Sequence, residues 1–209
     1  MSKVVIQGHA SGTGDFTIAA PNSNTDRTLT LPDVAGTVLT SGSNADFPAG
    51  SVLQVVQTVK TDTFSTTALT SSPADVTNMS VAITPTNTSS KILVLVNGVG
   101  GYQAYQVNFR LMRNSTPISI GDAIGSRPRT SVTSGSYVGN ASYEQYHYSP
   151  FSICYLDSPS TTSSTTYKLQ MGTYNASYTV YLNRNHGYQN TANYDATTAS
   201  SITVMEIAG

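Results

Sequence analysis

A chain of 209 residues with a formal net charge of −1 has room for one β domain of ordinary size, or a small domain with an appendage. Charged residues make up only 10% of it, against roughly 25% in an average soluble protein, and no basic block is present to neutralise phosphate, which argues against a nucleic-acid partner. The single cysteine, Cys154, excludes an internal disulfide framework, and the longest aliphatic run, Ile92-Leu93-Val94-Leu95-Val96, falls far short of the roughly 20 apolar residues of a membrane span, so no membrane insertion is expected.

Ser and Thr, with Asn, Gly and Tyr, take the place of the missing charges, which makes the surface one of hydroxyls and amides. Thr and Tyr favour strands, and Asn, Gly and Ser favour turns, so the expected class is all-β. The stretch Met1–Gly8 lacks the apolar segment of a secretory signal, and synthesis and folding are therefore expected in the cytosol.

Val4-Val5-Ile6 and Phe16-Thr17-Ile18-Ala19 read as short strands around a glycine-rich turn, Gly8 to Gly14. That glycine spacing is superficially like a dinucleotide fingerprint, but the helix the motif requires does not follow. Leu29, Leu31 and Val38 alternate with threonines in very thin apolar stripes. About 40 residues of this kind cannot offset the cost of ordering unless partner chains supply more apolar surface. Residues 1–42 are therefore expected to form a β-rich stem or attachment module, and 43–50 a linker by their turn residues.

Residues 51–209 are better patterned. Ile92–Val96 alternates β-branched residues with leucine between Lys91 and the turn signal Asn97-Gly98, and predicts a central strand buried on both faces. Strands are also expected at 52–59, at 76–83 with Met79, Val81 and Ile83 inward, and at 105–113 with Val107, Phe109 and Leu111 inward. Asn114–Pro117 turns the last of these into a short return strand at 118–121. Further strands are expected at 151–156, at 165–171 (Tyr167, Leu169, Met171), at 177–184 and at 201–207, with no helix. Eight or so strands separated by turn signals predict a β-sandwich or jelly-roll head.

The segment Gly12-Thr13-Gly14-Asp15-Phe16-Thr17-Ile18 through Thr28-Leu29-Thr30-Leu31-Pro32-Asp33-Val34-Ala35-Gly36-Thr37-Val38-Leu39 resembles a short module of bacteriophage tail-fibre and virion-fibre proteins. It covers roughly the first fifth of the chain. The resemblance implies a homotrimer with an interwoven β stem, residues 1–42 attached to other virion proteins, and localisation in the virion. The closing strand, with only Ala208 and Gly209 after it, is similar in pattern to trimeric jelly rolls of the tumour-necrosis-factor and C1q type, where the last strand is central.

For chemistry, the three histidines at 9, 147 and 186 are far apart without metal-ligand spacing, and the only glutamates are Glu144 and Glu206. No nucleophile elbow is present, and acids are too few for a glycosidase pair to be the default. No catalytic residue, metal site or cofactor is expected. Glu206 is expected to pair with an arginine such as Arg110 or Arg113, and Cys154 to be a buried small hydrophobe. His147 lies near Cys154 in sequence, but nothing fixes the two as a catalytic pair.

Two loops stand out: Tyr137, Tyr143, Tyr146 and Tyr148 in one, and Arg184, His186, Tyr188 and Tyr194 in the other, set among Asn, Gly, Ser and Gln. Rigid amphipathic rings with adaptable amides are the palette of binding loops, and rings also stack on sugar C–H faces. Tyrosine is equally enriched at subunit interfaces, so these loops either bind ligand or line a contact between copies. The expected function is host-surface attachment without chemistry, to a glycan first and a protein receptor second. The alternatives are a purely structural decoration or collar protein, and a hydrolase acting on polysaccharide.

Overall fold

A computed structural model describes residues 47–135 and 145–209, together with 10–15, 17, 22, 24–26, 28, 30 and 33–35. The chain falls into two compact units, Met1–Val38 and Leu39–Gly209. In the first unit the described residues are exposed, and the stem strands expected there lie for the most part outside the described residues.

In the second unit eleven strands are described and no helix: β1 Val52–Lys60, β2 Phe64–Thr66, β3 Ala74–Ile83, β4 Lys91–Tyr102, β5 Val107–Arg113, β6 Thr116–Ile118, β7 Val132–Ser134, β8 Ser149–Asp157, β9 Thr165–Thr173, β10 Val180–Leu182 and β11 Ser200–Ile207. They form two sheets. In the first, β11 lies between β1 and β4, β10 continues along the same side of β4 with β2 beside it, and β8 lies on the other side. The second runs β3-β9-β5, with β6 and β7 both on the free side of β5. All these strand pairs are antiparallel and nested: β1 with β11, β3 with β9, β4 with β8, β5 with β6 and β7. A long hairpin rolled into two sheets has this connectivity, which is that of a jelly roll.

Alternation decides the core. Ile92, Val94 and Val96 of β4, Ile202 and Val204 of β11, Val107, Phe109 and Leu111 of β5, and Tyr167, Leu169 and Met171 of β9 are all fully buried between the sheets. Phe109 and Phe151 stack across the sandwich with centroids 3.8 Å apart. Those rings also explain why β4 does not end at Asn97-Gly98, as the turn signal predicts, but runs on to Tyr102. A Cβ on Gly98 would lie 2.8 Å from the Phe151 ring, and one on Gly100 would lie 2.7 Å from Val107. The glycines make room for aromatic packing inside a strand. In β3 the alternation slips once: Asn78, at φ 59°, absorbs the irregularity, so that Val76 and Met79 are both buried.

Three expectations need correction. Leu93 and Leu95 are half-buried, because among the described residues no layer covers the outer face of the first sheet, so β4 is fully buried on one face only. Cys154 is exposed: β8 places Phe151 and Ile153 inward and turns Ser152, Cys154 and Leu156 outward. Glu206 pairs with no arginine. Its Oε2 accepts from Gln54 Nε2 at 2.6 Å, and its Oε1 accepts the backbone N–H (2.7 Å) and hydroxyl (2.8 Å) of Thr86. Arg113 instead forks onto Asp157, which also accepts from the Tyr167 hydroxyl, while Arg110 donates to the carbonyls of Thr70 and Arg129.

Burial of Glu206 opposes its charge, but the donors from Gln54 and Thr86 outweigh it and hold its carboxyl below the ordinary range. A folded value below the unfolded 4.5 contributes stability that is present above pH 4.5 and is lost as pH falls through the folded value. Thermal melts from pH 7 to pH 3 are therefore expected to shift down below about pH 4.5 by a few degrees, and Glu206→Gln should show a smaller shift. An equal shift in the variant would assign the acid sensitivity to other carboxylates.

Candidate functional site

Strand polarity sorts the loops. Residues 47–51 and the end of β11 lie together at one end of the sandwich, where Gly50 N donates to Ala208 O and Ala208 N to Ser51 O, each at 2.8 Å. The connections β1–β2, β4–β5, β9–β10 and β10–β11, and the described ends of β7–β8, all lie at the opposite end. Every described tyrosine except Tyr155 and Tyr167 lies at or near that pole.

The longest of these connections, residues 183–199, is closed by one residue. Asn183 adopts φ 64° at the end of β10 and is fully buried. Its amide donates to the carbonyls of Lys60 (3.0 Å) and Asp62 (2.9 Å), and its Oδ1 accepts from Ser200 Oγ at 2.6 Å, so both ends of the loop meet at this side chain. Asparagine tolerates this left-handed conformation better than most residues. Inside the loop, buried Asn185 donates to Asp195 Oδ1 (3.0 Å) and accepts from Tyr188 N (2.8 Å). Burial works against the Asp195 charge, but Asn185 and the backbone N–H groups of Thr191, Gln189 and Asn190 lower its pKa.

Arg184 lies between two rings, its Cζ 4.2 Å from the centroid of Tyr181 and 4.8 Å from that of Tyr188. His186 Nδ1 shares a 3.0 Å hydrogen bond with the Tyr181 hydroxyl. Burial, and then the charge of Arg184, lower the His186 pKa, which keeps the ring neutral at pH 7. From the other loop, Gln145 O accepts from Gly187 N (2.8 Å), and the Tyr146 ring stands 5.3 Å from that of Tyr194. The Tyr148 hydroxyl donates to Ala196 O (2.7 Å) and accepts from Ala196 N (2.6 Å). His147 turns to Tyr102, with Nδ1 3.2 Å from its hydroxyl.

The fold therefore brings together six of the eight predicted site residues: Tyr146, Tyr148, Arg184, His186, Tyr188 and Tyr194. Tyr137 and Tyr143 lie outside the described residues. Tyr148 and His186 hold neighbouring groups, whereas Tyr188 and Tyr194, though packed on Arg184 and Tyr146, remain 43% and 59% exposed. Beside them is a hollow of about 340 Å³ lined by Tyr188, Asn190, Thr191, Ala192, Asp195 and Ala196. Thr191 Oγ1 is buried without a hydrogen-bond partner. Sequence reasoning missed Asn183, Asn185 and Tyr181. Their roles depend on a reversal at Asn183 that no local pattern announces.

Among the described residues no three His, Cys, Asp or Glu side chains come together as metal ligands would, and no helix is long and apolar enough to cross a membrane. No protein-family model matches the chain, and no curated protein matches it.

Proposed function

We propose that the protein is a non-enzymatic bacteriophage virion fibre component, a homotrimer whose β-sandwich head attaches to a host-surface receptor, with a glycan as the ligand. The observation that carries this reading is the hollow at the pole opposite residues 47–51, lined by Tyr188, Asn190, Thr191 and Asp195, with Tyr188 exposed. An aromatic face beside amide, hydroxyl and carboxylate groups suits the apolar and hydroxylated faces of a sugar ring. Asp195 is the only carboxylate lining the hollow among the described residues, which supports binding over hydrolysis, since cleavage by the usual route uses two. The fibre context rests on the resemblance of residues 12–39 to the fibre module.

Self-association draws support from the outer face of the first sheet. Paired positions set Val55, Met205, Leu93 and Leu156 in one row across four strands, followed by Gln57, Thr203, Leu95 and Cys154, then Val59, Ser201, Asn97 and Ser152. None of the three rows carries a charge, and Val55, Val59 and Leu156 are each more than half exposed. A contiguous uncharged face with an apolar row marks an interaction surface.

Tyr146→Ala removes the ring against Tyr194 at a half-buried position, so the melting temperature should stay within a few degrees of wild type while binding falls about tenfold or more. Competition between the purified protein and phage for adsorption to the host strain measures this. A wild-type protein that folds and assembles but does not compete would leave the decoration or collar role in its place.

A further inference from the structure

A second aromatic cluster stands at the same pole on residues outside the Tyr188 hollow. Tyr105, in the β4–β5 connection, has its ring centroid 5.4 Å from that of Tyr174 and 5.6 Å from that of Tyr178, both in the β9–β10 connection. A tight turn sets the latter two side by side: Asn175 O accepts from Tyr178 N (2.9 Å) and its Oδ1 from Ser177 N (2.9 Å). Tyr105 is held at φ 67°, a conformation that costs any residue with a bulky side chain, and its ring is 39% exposed while that of Tyr174 is 66% exposed. Tyr174, the most exposed of the three, brings the cluster to the surface, while Tyr178 is half-buried.

Next to the rings is a cavity of about 240 Å³ that includes Tyr174 in its wall, with Leu69, Pro128, Gln106, Asn108 and Ser126 among the other lining residues. Its lining carries no charged side chain. The cavity is pre-formed: Arg110 donates to Thr70 O and to Arg129 O, and so ties together the two loops that wall it. Asn108 forms a satisfied floor, donating to Thr70 Oγ1 (2.9 Å) and accepting from Thr133 Oγ1 (2.8 Å). Gln106, also in the lining, donates from its Nε2 to Asn108 Oδ1 at 3.4 Å.

We propose that Tyr105, Tyr174 and Tyr178, with Gln106 and the adjoining cavity, form a second carbohydrate subsite that takes an uncharged sugar residue. The ligand class rests on the attachment reading above; the site itself rests on its own rings and cavity. Ring faces carry negative quadrupole density that attracts the C–H face of a sugar, and amide and hydroxyl groups meet its hydroxyls. The lining carries no charged side chain and the adjacent Arg110 is committed to the carbonyls of Thr70 and Arg129, which disfavours an acidic sugar, since it would lose hydration without a free cation to replace it. A volume below the roughly 300–1,000 Å³ of drug-sized sites fits one residue of a longer chain. Two subsites on one head would let a polysaccharide engage both, so that the second contact forms at high effective concentration.

The test titrates the full-length protein with gluco-, galacto-, manno- and N-acetylhexosamine oligosaccharides, using calorimetry together with tyrosine fluorescence, which no tryptophan obscures in this chain. At least one of these neutral probes should bind wild type. Tyr174→Ala should weaken that binding about tenfold, and Tyr174→Phe should retain most of it, because the ring and not the hydroxyl makes the contact. The melting temperature of both variants should match wild type, since the ring is exposed. Absence of any binding, equal binding by Tyr174→Ala, or a change in oligomeric state without a change in sugar affinity would each overturn the subsite. Adsorption competition separates the two readings. If Tyr188→Ala abolishes it while Tyr174→Ala leaves both it and sugar binding intact, only the second subsite fails. If the Tyr188 variant competes as well as wild type, the attachment reading of the hollow fails instead.

Discussion

Val94→Asp abolishes the folded head. Val94 has no exposed surface and sits mid-strand in β4, paired with Val204 of β11 on one side and Tyr155 of β8 on the other. The substitution removes a fully buried valine, worth about 1.5–3 kcal/mol, and leaves an uncompensated carboxylate in the core at a further ~3–5 kcal/mol. The buried cation of the sandwich, Lys60, is already paired with Asp62, and the half-buried Arg113 with Asp157. Together these terms, about 4.5–8 kcal/mol, are comparable to the lower half of the roughly 5–15 kcal/mol that holds a typical domain folded. Circular dichroism and the dispersion of amide proton resonances should show loss of the cooperative β structure. Val94→Ala, which deletes only methyl groups, should still fold, with a melting temperature lower by several degrees.

The body of the sandwich was legible because period-two alternation is a local signal. Met79, Val81 and Ile83, or Tyr167, Leu169 and Met171, can be assigned to one face without knowing what lies opposite. Misreadings came where meaning depends on a partner strand. Asn97-Gly98 has the composition of a turn, yet it is strand interior, because Phe151 and Ser200 occupy the space a side chain would need. The run Phe151-Ser152-Ile153-Cys154-Tyr155 looks apolar enough to bury its cysteine, yet β8 is an edge strand whose outer face meets solvent. The partners of Glu206 are fixed by register with β1 and by the β3–β4 connection, over 120 residues away in sequence.

At the pole the limit was different in kind. Composition alone marked Tyr146, Arg184, Tyr188 and Tyr194 as chemically able to bind, since Tyr, Asn and Gly suit that task wherever they occur. Their meeting depends on Asn183 reversing the chain and on Gly187 bonding Gln145, and neither leaves a periodic trace. Tyr174 and Tyr178, flanking Asn175-Ala176-Ser177, carry the same palette in a stretch short enough to be read only as strand and turn.

Leu93→Arg, one residue before Val94, should have the opposite consequence: a folded head that no longer associates. Leu93 points out of the sandwich at the middle of the row Val55-Met205-Leu93-Leu156, where an arginine can extend into water in the free subunit at little cost. If copies pack through this face, each buries an arginine among apolar side chains, because the row carries no carboxylate to pair with it. An uncompensated buried charge costs ~3–5 kcal/mol, and symmetry imposes that cost on every subunit of a homotrimer at once. Sedimentation equilibrium should therefore change from a trimer to a monomer, while circular dichroism and the melting of the isolated head remain cooperative. Leu93→Ala, which weakens the row without charging it, should shift the equilibrium only partway. A wild-type protein that sediments as a folded monomer would remove the trimer outright. A Leu93→Arg protein that remains trimeric would move the contact to another face. Adjacent residues on one strand are thus expected to separate two properties by the direction of their side chains: Val94, inward, the folding of the head, and Leu93, outward, its proposed assembly.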